Sequence, residues 1–139
     1  MYEKIVICDY GIAADGTDAA HIGAVLEGLG YNAIHVPRIG KEETIYEIYI
    51  QKPLVVVANP LTRSDGRLRI DEEFVGELEN ICHPSIKFVL FSKNPSDLSR
   101  EDILDKGNHR LVVDTIENEV AKSVAVKQAE FHVGVRFIN

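Results

Sequence analysis

Four apolar runs in this chain each end in a single polar residue, and segments of helical period separate them. Ile5–Cys8 runs into Asp9, Val55–Ala58 into Asn59, Phe88–Phe91 into Ser92, and Leu111–Val113 into Asp114. A strand that is apolar at every position has both faces covered, as in a parallel sheet with helices on either side. Alternation of such runs with helix-periodic segments is the sequence sign of βαβ units. In open sheets of this kind, ligands and reactive groups gather at the carboxyl ends of the strands. Asp9, Asn59, Ser92 and Asp114, with the neighbours Tyr10 and Lys93, are therefore the first candidates for ligand or partner binding.

The segments between the runs fill out the pattern. Ile22, Val25, Leu26 and Leu29 share a helical face, with Asp15, Thr17 or Asp18 as N-cap and Gly30 as the stop. Tyr31–Val36 reads as the second strand, and Glu42–Gln51 as a short helix with Ile45, Ile48 and Tyr49 inward. A polar loop from Leu61 to Arg67 carries the turn signal Asp65-Gly66, and Asp71–Cys82 follows as a helix with Phe74, Leu78 and Ile81 inward. Ser99-Arg100-Glu101-Asp102 has the form of a capping box that opens a short helix to Lys106, closed by Gly107. Arg110–Val113 then reads as the fifth strand. Thr115 caps a last helix on which Val120, Val124 and Phe131 share a face. The expectation is one α/β domain over residues 1–131, a parallel five-stranded sheet between two helical layers. Residues 132–139 form a tail or an added edge strand, and a strand able to pair with a second chain admits a homodimer.

Composition narrows the function. A chain of 139 residues suits one domain, and 45% hydrophobic with 27% charged residues suits a soluble globular one. A net charge of -7 argues against nucleic acid and against an anionic membrane surface. The densest basic group, Arg63, Arg67 and Arg69, is hemmed in by Asp65, Asp71, Glu72 and Glu73. The amino terminus has no signal-peptide pattern, and no run approaches the roughly 20 apolar residues of a membrane span. With Cys8 and Cys82 as the only cysteines, neither a disulfide framework nor a zinc knuckle is expected, and the cytoplasm is the expected location. Neither G-x-G-x-x-G nor G-x-x-x-x-G-K-[ST] occurs, and the five His residues fall on different elements. Asp9, Asp15 and Asp18 suit helix capping and solvation better than a cation site. The expectation is a non-enzyme with no catalytic residue, metal or cofactor and with a protein as its partner.

Several stretches resemble the receiver domains of two-component signalling. Gln51-Lys52-Pro53-Leu54-Val55-Val56-Val57 is similar to the lead into the receiver's third strand, and Asp65-Gly66 to the turn after its acceptor. His83-Pro84-Ser85 followed by Ile86–Ser92 is similar to the fourth strand with its terminal hydroxyl, and Lys106-Gly107 before Leu111–Val113 to the run into the fifth. The resemblance implies a doubly wound, flavodoxin-like sheet of order 2-1-3-4-5. It also implies a magnesium site made by an acid pair after strand one and an acceptor Asp after strand three. Here Tyr10 stands beside Asp9 in place of the second acid, and Asn59 stands in place of the acceptor. An amide cannot form an acyl phosphate. Ser92 fits the hydroxyl position, while Asp114 falls where a receiver has a phosphate-pairing Lys. The implied function is a pseudo-receiver, a phosphorylation-independent interaction module. Its docking surface would be the carboxyl-end face and the side formed by helix four, strand five and helix five, with Asp114 bridged to Lys93. Gly11–Asp18 with Ala24–Tyr31 and Ile34–Pro37 is also similar to the opening of cobalamin-binding domains, which implies a small-ligand-binding alternative. Thr17 stands there in place of the cobalt-ligating His, and Ala20 in place of a Gly.

Overall fold

The computed structural model describes residues 3–9, 17–36, 41–82, 86–98 and 100–138. Along the chain run β1 (Lys4–Cys8), α1 (Thr17–Gly28), β2 (Asn32–Val36), α2 (Lys41–Gln51) and β3 (Val55–Ala58). There follow β4 (Leu61–Ser64), β5 (Arg67–Ile70), α3 (Glu72–Ile81), β6 (Lys87–Ser92), β7 (Ile103–Asp105) and α4 (His109–Ile138). The main sheet has five strands in the order β2-β1-β3-β6-β7, all parallel. Counting these five alone, the order is 2-1-3-4-5.

The apolar runs are covered on both faces because alternate side chains point to opposite sides. Ile5, Ile7, Val55, Val57, Val89 and Phe91 pack with Ile22 and Leu26 of α1 and with Val112, Ile116 and Val120 of α4. Val6, Cys8, Val56, Ala58 and Leu90 pack with Ile48 of α2 and with Phe74 and Leu78 of α3. Phe91 and Phe74 are both fully buried and anchor opposite faces. Truncating either to Ala costs about 3–5 kcal/mol, since a cavity adds to the lost transfer energy.

Several expectations are corrected. The polar loop at 61–67 is an antiparallel hairpin in which Ser64 pairs with Arg67 across a two-residue turn. Asp65 (φ 52) and Gly66 (φ 73) both have positive φ, as a right-twisted hairpin with a tight loop requires. Among the described residues no α-helix joins β6 to β7: a single 3-10 turn lies at Pro95–Asp97, and residues 101–102 form a bend. Arg100 holds that segment with two hydrogen bonds to Asp102, 2.9 and 2.8 Å long. This fork keeps the Asp102 carboxyl below its ordinary range. The capping residue expected there, Ser99, lies outside the described residues.

The fifth strand is Ile103–Asp105, and Leu111–Val113 belongs to the first turns of α4. Val112, Ile116 and Val120 recur every four residues and are all buried, so the helical period wins over the β-branched triplet. Asn108 caps this helix through its Oδ1, which accepts from Leu111 N at 3.2 Å. Thr115 instead turns back to the Leu111 carbonyl. Finally, residues 132–138 continue α4 and form no added edge strand. On α2, Ile48 is buried and Ile45 partly buried against the core as expected, Thr44 is buried as well, and Tyr49 faces solvent.

Candidate functional site

β1 and β3 are adjacent at the centre of the sheet, so the residues that follow them, Asp9 and Asn59, are brought side by side. The Asn59 backbone N–H continues the ladder by donating to the Cys8 carbonyl at 2.9 Å. Its side-chain Nδ2 donates to Asp9 Oδ1 at 2.9 Å, while its Oδ1 accepts from Leu61 N at 3.2 Å. Asn59 therefore ties the strand end to the first residue of the hairpin. The hairpin is closed at its base by Asp71 N donating to the Pro60 carbonyl at 2.7 Å.

The second oxygen of Asp9 is also engaged, by a residue that the sequence reading placed elsewhere. Lys106 follows β7 directly, and its backbone N–H donates to the Ser92 carbonyl at 2.9 Å. Its Nζ lies 3.1 Å from Asp9 Oδ2. Lys106 is 1% exposed and Asp9 12%. Asn59 and Ser92 are likewise buried, and the Ser92 hydroxyl donates to the Lys93 carbonyl at 3.1 Å. Removing either charge of such a pair leaves the other desolvated and uncompensated.

Of the six residues singled out from the sequence, Asp9, Asn59, Ser92 and Lys93 meet around one end of the sheet, and Tyr10 lies outside the described residues. Asp114 does not meet them. It sits on α4, 65% exposed, 4.0 Å from Arg110, so it cannot bridge to Lys93 or reverse the charge of the site. The cation is Lys106. The signal for it was the short apolar pair Ile103-Leu104 before Asp105-Lys106-Gly107-Asn108. In that stretch Asp105 Oδ1 accepts from Gly107 N, making a turn, and Asn108 opens the helix.

Beside this cluster is a cavity of about 270 Å³. Its polar floor comes from Asn59, Ser92 and Lys106, and its apolar wall from Leu61 and Leu68 of the hairpin and Leu98 after the 3-10 turn. Lys93, Asn94 and Asp97 complete the lining. Directly beneath Asp9, burial and the neighbouring carboxylate push the Cys8 thiol up to about 12, so it is no nucleophile at neutral pH. Among the described residues no three His, Cys, Asp or Glu side chains are grouped to hold a metal ion. Of the acids weighed for that role, Asp18 pairs with His109 at 2.7 Å and Asp15 lies outside the described residues. Thr17, at the position of the cobalt-ligating His, is the first residue of α1. Among the described residues no helix is long and apolar enough to cross a membrane.

No family model matches the chain, and no curated protein matches it. The fold does recur among solved structures. The signal receiver domain of a protein described as a Luxo repressor from Vibrio parahaemolyticus matches with a TM-score of 0.64 and 14% identity, over 94% of this chain and 98% of that one. The anti-anti-sigma factor PhyR from Bartonella quintana matches with a TM-score of 0.55 and 14% identity, over 96% of this chain. The match takes in 52% of the PhyR chain, about half its length. At such identity the likeness is one of fold. This chain has a receiver-like fold, with Asn59 at the end of β3.

Proposed function

We propose that this domain is a signalling module that presents a fixed surface to a protein partner and does not use phosphoryl transfer. The observation that carries the reading is the state of Asp9, whose two oxygens are taken by the Asn59 amide and the Lys106 ammonium. A receiver's carboxylates need a hard cation to offset their charge and that of the incoming phosphoryl group. In this chain the cation beside Asp9 is a side chain, and an amide stands where a nucleophilic carboxylate would be needed. Both oxygens of Asp9 are therefore engaged without a metal ion or a phosphoryl group.

The surface on offer differs from the one expected from sequence. With no α-helix among the described residues between β6 and β7, the exposed side consists of the β4–β5 hairpin, the 3-10 turn and the β7 edge. A protein partner, or a second copy of the chain, would read that combination in place of a helix-four face. Phosphoryl transfer is tested by incubating the intact chain with acetyl phosphate and Mg²⁺ and measuring its mass. No phosphoryl gain is expected, and a stable adduct overturns the reading. A cobalamin absorbance change on mixing would instead favour the small-ligand alternative.

A further inference from the structure

Among the described residues, Lys106 has more donors than partners. An ammonium group carries three N–H bonds and accepts none. This one is 99% shielded from solvent, and among the described residues its side-chain partner is Asp9 Oδ2 alone. Buried polar groups find partners, because leaving a donor unmatched costs the desolvation of that group. The remaining donors of Lys106 and the second N–H of the Asn59 amide belong to side chains that line the 270 Å³ cavity. At roughly 30 Å³ per water, that space takes about nine heavy atoms.

Resting on the reading of a phosphorylation-independent domain, we propose that this cavity binds a small organic monocarboxylate non-covalently. Its carboxylate accepts from Lys106 Nζ and Asn59 Nδ2, and its apolar body lies against Leu61, Leu68 and Leu98. Three observations select that class. The unmatched groups are donors, one of them cationic, so a charged acceptor gives the stronger hydrogen bonds. The lining also includes Leu61, Leu68 and Leu98, which a bare inorganic anion would leave uncovered. The charges in and under the cavity, Lys106, Lys93, Asp9 and Asp97, cancel, so each added negative charge leaves the site more negative, which favours a monoanion over a dianion. Occupation would brace the hairpin against the 3-10 turn and couple the exposed surface to a metabolite without a covalent step.

The test is an amide-resonance titration of the intact chain with phenylacetate, against neutral 2-phenylethanol and inorganic phosphate. Saturable shifts at Asn59, Ser92 and Leu68 with phenylacetate are expected, with at least about tenfold weaker binding of the two controls, as for a lost charged hydrogen bond. Leu68→Asp alters a part-exposed hairpin position, so the fold survives, and it should abolish binding by placing a carboxylate beside the ligand. Lys106→Met should do the same where it folds. No saturable shift, equal shifts with 2-phenylethanol, or undiminished binding by Leu68→Asp overturns the proposal. Those outcomes are distinct from a phosphoryl mass gain, which overturns the underlying reading instead.

Discussion

Two side-chain pairs join the first part of this chain to the last, and they differ in burial. Asp9–Lys106 spans 97 residues, is 3.1 Å long, and its members are 12% and 1% exposed. Asp18–His109 spans 91 residues, is 2.7 Å long, and its members are 20% and 29% exposed. The first closes the carboxyl end of the sheet. The second ties α1 to the start of α4, with the His21 ring stacked on His109 at 4.3 Å between centroids. The shorter pair is the weaker constraint, because water can replace either partner when the other is lost. Burial, more than distance, decides which pair the domain depends on.

Breaking the buried pair should have the largest effect. Lys106→Ala strands the Asp9 carboxylate and is expected to lower stability by about 3 kcal/mol, read from urea denaturation at neutral pH. A double replacement of Asp9 by Leu and Lys106 by Met should recover most of that loss, since it removes both charges together. A cost for Lys106→Ala no larger than that of a surface lysine would show that the pair is not shielded.

Asn59→Asp comes next. It sets a second carboxylate about where Nδ2 now lies, 2.9 Å from Asp9 Oδ1, with one ammonium to serve both. Like charges that close raise one carboxyl pKa. A loss of about 2 kcal/mol at pH 7 is expected, partly regained on acidification and on adding Mg²⁺. Thermal melts with and without Mg²⁺ check this, and the unmodified chain should show no such gain.

The cysteines give a pH signature from the same region. Burial pushes the Cys8 thiol up from 9.0 to about 12, with the Asp9 charge adding to the shift, and burial does the same for Cys82. The unfolded thiols ionise first, so this contribution is intact below pH 9.0 and falls as pH rises toward 12. For Cys8 the slope is about 1.4 kcal/mol per pH unit in that window. Cys8→Ala should flatten the curve between pH 9 and 10.5 whatever it does to the level at pH 7.

The less buried pairs close the series. His109→Ala should cost less than about 1 kcal/mol, and Asp114→Asn should fall within about 0.3 kcal/mol of the parent. A large effect of Asp114→Asn would restore that residue to the site from which its place on α4 removes it.

The sheet was legible because its central strands are apolar at every position, and Asp9, Asn59 and Ser92 were legible because they punctuate those strands. β7 was not. It has three residues, with Ile103 its one buried position, whereas Leu111-Val112-Val113 nearby has the composition of a strand and the period of a helix. Reading that triplet as strand five displaced the strand end by several residues and put Asp114 where Lys106 belongs. The hairpin was hidden for a different reason. Asp65-Gly66 marked its turn, but strands that cover the end of a sheet need only a few apolar side chains, and Leu61, Leu68 and Ile70 alternate among arginines.

The central claim is that Asp9 is satisfied from within, by Lys106 and Asn59, so that the strand-end cluster holds one state without a metal ion. The most direct measurement follows the Asn59 side-chain amide and the backbone amides of Asn59, Ser92 and Lys106 by nuclear magnetic resonance while Mg²⁺ is added to the intact chain. Resonances that stay in place at millimolar Mg²⁺ are the expected result. A saturable shift of the Asn59 amide, with Lys106 released from Asp9, would contradict it.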